Sequence, residues 1–339
     1  MLCIAVVGAG HWGPNLIRNF HSAPASRVKH VVDTRPQRLE ALKVKFPDVA
    51  MAGDVEAVLA DPEVDAVVIA TPTSTHFALC REALNAGKHV LVEKPMASRL
   101  EDAEALDDLA KKKGLVLMVG HVFLFNPAVR EVKQRIDSGD LGRLYYLSME
   151  RTNLGPIRVD VDAAWDLAAH DISIVDHWLG AQAVSVSAVG GTYINSGVPD
   201  VVFATLKYPN GVLVNLKASW LNPRKGRDIT VVGDRRMLTF DDTNLEAPIR
   251  LYDRGVTDEK VGGIVDTFAG FRASVREGEI TVPKVAAGEP LKAECAHFLE
   301  CVNEGKTPIT DAALGIRVVR ALEAITRSIE GGGREERVA

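Results

Sequence analysis

Leu2-Cys-Ile-Ala-Val-Val-Gly-Ala-Gly-His-Trp-Gly13 is the stretch whose reading decides the fold. Six mostly apolar residues predict a buried strand, and Gly8, Gly10 and Gly13 follow as G-x-G-x-x-G. Pro14-Asn-Leu-Ile-Arg-Asn-Phe20 then opens a helix. Each glycine has a task in a dinucleotide site: a tight turn, close approach of backbone to a pyrophosphate, and close packing of helix on strand. Free N–H groups and the positive dipole end at the helix start favour phosphate. His11 and Trp12, inside the turn, join the glycines as cofactor contacts. A second strand, Arg27-Val-Lys-His-Val-Val-Asp33, ends in a carboxylate 33 − 13 = 20 residues beyond the last glycine. That is where ribose hydroxyls are recognised. A 2′-phosphate would meet the charge of Asp33, so NAD is favoured over NADP, with Arg35 as the feature that speaks for NADP.

Outward from this turn, strand and helix alternate. Asp65–Ala70 reads as a buried strand leading into Thr71-Pro-Thr-Ser-Thr-His76. Its small hydroxyl residues let the chain turn beside a flat cofactor, so Thr71, Pro72 and His76 are further contacts. His89-Val-Leu-Val-Glu93 is another buried strand, and it runs straight into Lys94 and Pro95. Ligands collect beyond the carboxyl ends of such strands, which places Glu93 and Lys94 where chemistry is done. A helix over 99–113, stopped by Gly114, and a strand over 115–119 complete a doubly wound parallel sheet in a domain of residues 1–122.

A chain of 339 residues, 47% hydrophobic and 25% charged, suits two soluble globular domains. A net charge of −5 gives no electrostatic footprint for nucleic acid. Cys3, Cys80, Cys295 and Cys301 lack the spacing of a zinc site, and unpaired thiols suit a reducing compartment. Neither a signal peptide nor a membrane-spanning stretch is visible, so the expected location is cytoplasmic, with no membrane partner. No metal ligand set is expected.

Residues 123–339 form the second domain. A helix over 127–138 and a strand over 143–150 precede the loop Asn153-Leu-Gly-Pro-Ile-Arg-Val-Asp160. A helix over 164–179 follows, with Ile172, Val175, Trp178 and Leu179 as its buried stripe. Asp166 and His170, four apart, share one face. A carboxylate beside an imidazole fixes its tautomer and suits it to proton transfer near neutral pH. Asp171 points about 100° away and is the weaker candidate. The period then switches to two over 183–194, 201–208, 212–220, 228–232 and 237–241, predicting strands. Val214, Leu216 and Trp220 on one of them are expected to face a subunit interface. Helices over 290–304 and 311–329 pack on the body of the protein, and residues 334–339 fray.

GAGHWG, Asp33, Glu93-Lys94-Pro95 and Asp166-x-x-x-His170 together resemble the Gfo/Idh/MocA family of NAD(P)-dependent sugar and cyclitol oxidoreductases. The resemblance implies a Rossmann domain followed by an α+β domain built on a large, mostly antiparallel sheet, with the nicotinamide between them. It further implies a substrate-contacting Lys94, a cis bond at Pro95, and a homodimer or homotetramer formed through the second-domain sheet. The implied reaction is oxidation of a secondary hydroxyl. His170, oriented by Asp166, takes the proton while Lys94 stabilises the alkoxide, or Lys94 itself takes the proton. Ala168 and Ala169 stand where many members have glycines. The loop to Arg158 and the following Trp165-Asp-Leu resemble members acting on the 3-hydroxyl of UDP-N-acetylglucosamine, in polysaccharide synthesis. Asn153, Arg158, Trp165 and Arg224 are then substrate contacts, with Trp220 an alternative flat surface. The competing readings are a dehydrogenase of a free sugar or inositol and a non-catalytic dinucleotide-sensing regulator. Lys94, Asp166 and His170 together argue against the regulator.

Overall fold

The structure is a computed structural model that describes residues 1–155, 157–158, 161–194, 197–256, 275–276 and 278–338. Two compact units make up the chain: residues 1–125 with 288–323, and 126–287 with 324–339.

In the first unit β1 (Leu2–Val7), β2 (Ser26–Val32), β3 (Ala50–Ala52), β4 (Ala66–Ile69), β5 (His89–Glu93) and β6 (Leu117–Gly120) form one parallel sheet in the order β3-β2-β1-β4-β5-β6. This is the doubly wound order, with its switch point where β1 and β4 pair. The turns after those strands, at Gly8 and Thr71, therefore flank the ligand crevice. Continuous apolar runs make the strands: β4 is buried throughout, as are Ile4 to Val7. Neither face of such strands reaches water.

The sequence predicts 123–339 as one domain, but residues 288–323 belong to the first unit. Helix Pro290–Glu304 presents Leu291, Cys295, Phe298 and Leu299 to the core shared by Ile4, Leu16, Ile17 and Phe20. Phe298 meets the edge of Phe20 with ring centroids 6.2 Å apart. A buried aromatic pair of this kind adds about 0.5–1.5 kcal/mol to the gain from burial itself. This packing holds the late helix on the early sheet.

In the second unit β7 (Leu144–Thr152), β8 (Ser185–Gly191), β9 (Val201–Lys207), β10 (Leu213–Ser219), β11 (Gly226–Gly233), β12 (Met237–Asp241), β13 (Ile249–Tyr252), β16 (Ile280–Thr281) and β17 (Glu336–Arg337) form a nine-stranded sheet among the described residues, while β14 (Gly255–Val256) and β15 (Val275–Arg276) pair with each other. β7 and β10 pair in parallel, and the other neighbours are antiparallel. Period-two burial is clear on β10, where Val214, Leu216 and Ala218 are buried while Leu213 and Asn215 are exposed. Val214, Leu216 and Trp220 thus face inward, not toward a subunit interface. The outward row is instead Glu150, Lys217, Phe203 and Val189, aligned across β7, β10, β9 and β8. The expected fraying of the last residues is also overturned: Glu336 and Arg337 pair with Val186 and Ser185 at the sheet edge.

Phe298→Ala removes the ring that joins the late helix to the early sheet. It is expected to cost about 3–5 kcal/mol, read from urea unfolding of the full chain.

Candidate active site

The glycine turn is built for close approach. A side chain on Gly13 would sit 1.9 Å from the Gly8 carbonyl oxygen, and one on Gly8, at φ +103°, would sit 2.4 Å from the Ala70 carbonyl oxygen. At Gly10 the nearest atom to such a carbon is the Arg38 guanidinium at 3.3 Å, so no backbone crowds that face. Asp33 is buried, and its carboxylate accepts hydrogen bonds from the Ala9 and Arg35 amides, both at 2.9 Å. Burial alone would raise this carboxyl. The two amides and the Arg35 guanidinium outweigh burial and hold it below the ordinary carboxylate range. Asp33 is therefore an anion that joins the β1 turn to the end of β2. Arg38 approaches the same carboxylate at 3.7 Å. These residues fit an adenosine ribose and pyrophosphate. His11 and Trp12 are exposed in the turn.

At the end of β5 the Lys94–Pro95 peptide is cis. His76, expected beside the cofactor, is buried; its ring nitrogens lie 2.8 Å from the Pro95 carbonyl oxygen and 3.0 Å from that of Thr71. It clamps the Thr71–Thr75 turn to the Lys94–Pro95 peptide. Pro72 is exposed and Thr71 half-buried. The Glu93 carboxylate accepts from the Lys94 amide at 3.3 Å and from the Trp12 side chain, and it lies over the bare Cα of Gly120. Burial, opposed by Lys94 and these hydrogen bonds, pushes this carboxyl up to about 7.

Two groups here carry no signal in the sequence. His121, directly after β6, is fully buried, and burial followed by the charge of Lys94 pushes it down to about 3. Glu294, on helix Pro290–Glu304, is fully buried and feels the charge of Glu93. Glu294 sits in an apolar stripe that reads only as core.

In the second unit, the predicted single helix divides into a π-helical turn, Ala164–Ala168, and the α-helix Ala169–Leu179. A π turn inside an α-helix is common at functional sites. Asp166 lies in the π turn and His170 in the first turn of the α-helix. The Asp166 carboxylate is held at both oxygens, Oδ1 by Arg158 at 3.1 Å and Oδ2 by the Trp220 indole N–H at 3.1 Å. Arg158 is thus tied to Asp166, and Trp220 is buried, which removes it as a flat substrate surface. The Trp165 indole N–H donates to Thr326 Oγ1 at 3.1 Å. The Asn153 amide donates to the Ser219 carbonyl at 3.0 Å. Arg224 is exposed, 3.8 Å from Asp228, and does not join the Asp166 cluster through any hydrogen bond or ion pair described. Pro156, Val159 and Asp160 of the loop lie outside the described residues.

Asp171 is an anchor. Its Oδ1 accepts from Arg151 Nε at 2.8 Å and Nη2 at 2.6 Å, and both side chains are buried. Burial raises the Asp171 carboxyl, and Arg151 offsets part of that rise. The pair fixes the start of helix Ala169–Leu179, and with it His170, against β7.

A parallel sheet in doubly wound order, a glycine turn and an ionised Asp33 define an NAD-binding oxidoreductase fold. The family model described as an oxidoreductase family with an NAD-binding Rossmann fold matches residues 2–121, and the GFO/IDH/MocA C-terminal domain model matches residues 129–239. The chain belongs to the Gfo/Idh/MocA family and binds NAD. It is 31% identical over 329 residues to a UDP-N-acetylglucosamine 3-dehydrogenase of Acidithiobacillus ferrooxidans, covering 96% of each chain. A solved structure of that enzyme superposes with a TM-score of 0.82 at 29% identity, over 97% of this chain and 98% of the other. A scyllo-inositol 2-dehydrogenase (NAD(+)) of Bacillus subtilis is 30% identical, over 93% of this chain and 91% of its own length.

Asp33→Asn keeps an acceptor for the Ala9 and Arg35 amides and removes the charge. NAD binding is expected to weaken about tenfold, the worth of a charge-assisted hydrogen bond, and the preference for NAD over NADP to shrink, both by fluorescence titration. His121 has a depressed folded value, so its contribution to stability is full above about pH 6.5 and is lost as pH falls toward 3. Linkage puts the loss at about 2 kcal/mol between pH 8 and pH 5. His121→Asn is expected to lack that loss in denaturant titrations at the two pH values.

Proposed function

We propose that this chain is an NAD-dependent dehydrogenase of a CH–OH group. Its substrate is a nucleotide sugar of the UDP-N-acetylglucosamine type, oxidised at the 3-hydroxyl. The observation that carries the chemistry is the Asp166 carboxylate held at both oxygens, one turn before His170. A carboxylate fixed in this way is suited to orient an imidazole. The substrate class is supported by the Acidithiobacillus ferrooxidans relative, which spans 96% of the chain. The Bacillus subtilis relative supports the second reading, a dehydrogenase of an inositol or free sugar.

Bound NAD supplies the acceptor for the hydride that leaves the alcohol carbon. The hydroxyl proton goes to His170, which Asp166 orients, and Lys94 stabilises the charge that develops on oxygen. Lys94 is the alternative proton acceptor. Asn153, Arg158 and Trp165 belong to the substrate side of the reading. Arg158 pairs with Asp166, so it acts on the substrate while also holding the catalytic carboxylate. Arg224, exposed, serves a diphosphate. The outer row of the nine-stranded sheet, with Phe203 and Val189 exposed, is the surface through which the chain forms a homodimer or homotetramer. The setting proposed is cytoplasmic synthesis of cell-surface polysaccharide precursors.

NADH formation, followed by its near-ultraviolet absorbance across UDP-sugars, free sugars and inositols, separates these readings. UDP-N-acetylglucosamine is expected to give the highest kcat/KM. A higher value for an inositol moves the substrate to the second reading, and NAD binding without turnover anywhere on the panel overturns the enzyme. Lys94→Ala and His170→Ala are each expected to lower kcat by about a hundredfold or more. Full activity in either removes that residue from the mechanism.

A further inference from the structure

Glu294 lies inside the apolar stripe of helix Pro290–Glu304 with none of its surface exposed. Among the described residues neither of its carboxyl oxygens has a hydrogen-bond partner. A carboxylate so placed is far costlier than a neutral acid, because burial penalises the charged form. The charge it feels is of its own sign, that of Glu93 at the end of β5. Two carboxyl groups within reach of one another do not both ionise readily.

The groups around this pair come from every element that meets there. Lys94 follows β5, and its amide donates to Glu93. Trp12 comes from the glycine turn and also donates to Glu93. His121 follows β6, fully buried, with neither ring nitrogen partnered among the described residues. Thr310 is buried beside β6, where its carbonyl accepts from the Val119 amide at 2.8 Å. Cys295 and Glu289 belong to the helix itself and its N-terminal flank, and Cys295 is buried against the same two carboxyl groups. His121 is held neutral by burial and by Lys94.

We propose that Glu294 is a positioning residue for Lys94: it remains a neutral carboxylic acid, leaving Glu93 as the member of the pair that ionises. Glu93 then keeps its hydrogen bonds to Trp12 and to the Lys94 amide, and the glycine turn and the lysine stay in register. The pair's one proton resides on Glu294, and no covalent bond to carbon changes. When that proton is lost at alkaline pH, a second negative charge appears beside the first. Glu93 is pushed off its partners and the cofactor turn loosens. The inference rests on Lys94 serving the reaction as proposed above.

Infrared difference spectroscopy of the full-length protein at neutral pH tests the protonation directly. The C=O stretch of a protonated carboxylic acid is expected in the wild type and in Glu93→Gln, and its intensity is expected to drop in Glu294→Gln. Unchanged intensity in Glu294→Gln, or loss in Glu93→Gln alone, overturns the assignment. NADH fluorescence titration tests the positioning. Wild-type affinity is expected to fall about tenfold once pH rises far enough above the range in which Glu93 ionises to take the proton from Glu294, one pKa unit's worth of coupling, while Glu294→Gln holds its affinity. The same pH dependence in both proteins overturns the role. Should the Gln variant fail to fold, Glu294→Met, uncharged and of similar length, gives both readings. Neither readout uses a sugar, so absence of turnover across the substrate panel sinks the proposed function without touching this result.

Discussion

The Glu93 carboxylate joins parts of the first unit that are distant in sequence. It accepts from the Trp12 side chain of the glycine turn and from the Lys94 amide, and it rests on the bare Cα of Gly120. A side-chain carbon on Gly120 would stand 3.1 Å from that carboxyl group, so any larger residue there would have to displace it by a few tenths of an ångström. The glycine turn, the lysine and the end of β6 hold their places relative to one another through this group. Its raised affinity for a proton is the cost of collecting them around one partly buried charge.

The second unit uses the same physics in another form. Asp171 is buried because Arg151 neutralises it with two short hydrogen bonds. Asp166, less buried, accepts from Arg158 at one oxygen and from the Trp220 indole at the other. Two acids five residues apart thus have different tasks. Asp171 anchors the helix, whereas Asp166 is held at the surface of the unit with its oxygens aimed by neighbours. Removing Arg151 would strand a buried charge, the expensive way to break such a pair.

The parallel sheet was legible because its signals are local. Glycines at fixed spacing, Asp33 after the second strand and Glu93-Lys94-Pro95 after the fifth each report a backbone requirement within a few residues. What stayed hidden depends on long-range packing. Glu294 occupies a core position of an otherwise ordinary amphipathic helix, and only the fold brings it to Glu93, 201 positions earlier. The inward direction of Val214, Leu216 and Trp220 was equally closed to sequence, because period two shows that a strand has two faces and not which one is covered. The π turn at Ala164–Ala168 leaves no compositional trace. Assignment of residues 288–323 to the first unit rests on Phe298 meeting Phe20, a contact across 278 positions.

The two residues of β17 have a significance beyond their length. Paired with Val186 and Ser185, they occupy one end of β8, a strand that would otherwise offer its unpaired N–H and C=O groups along an edge of the sheet. Open edges of this kind template the addition of strands from other molecules, and proteins blunt them by covering or charging them. Here the cover is supplied by a Glu-Arg dipeptide, which satisfies backbone groups and places charge of both signs at the rim. Glu336 and Arg337 therefore act against aggregation, and a change that unpaired them from β8 would alter solubility before it altered the fold.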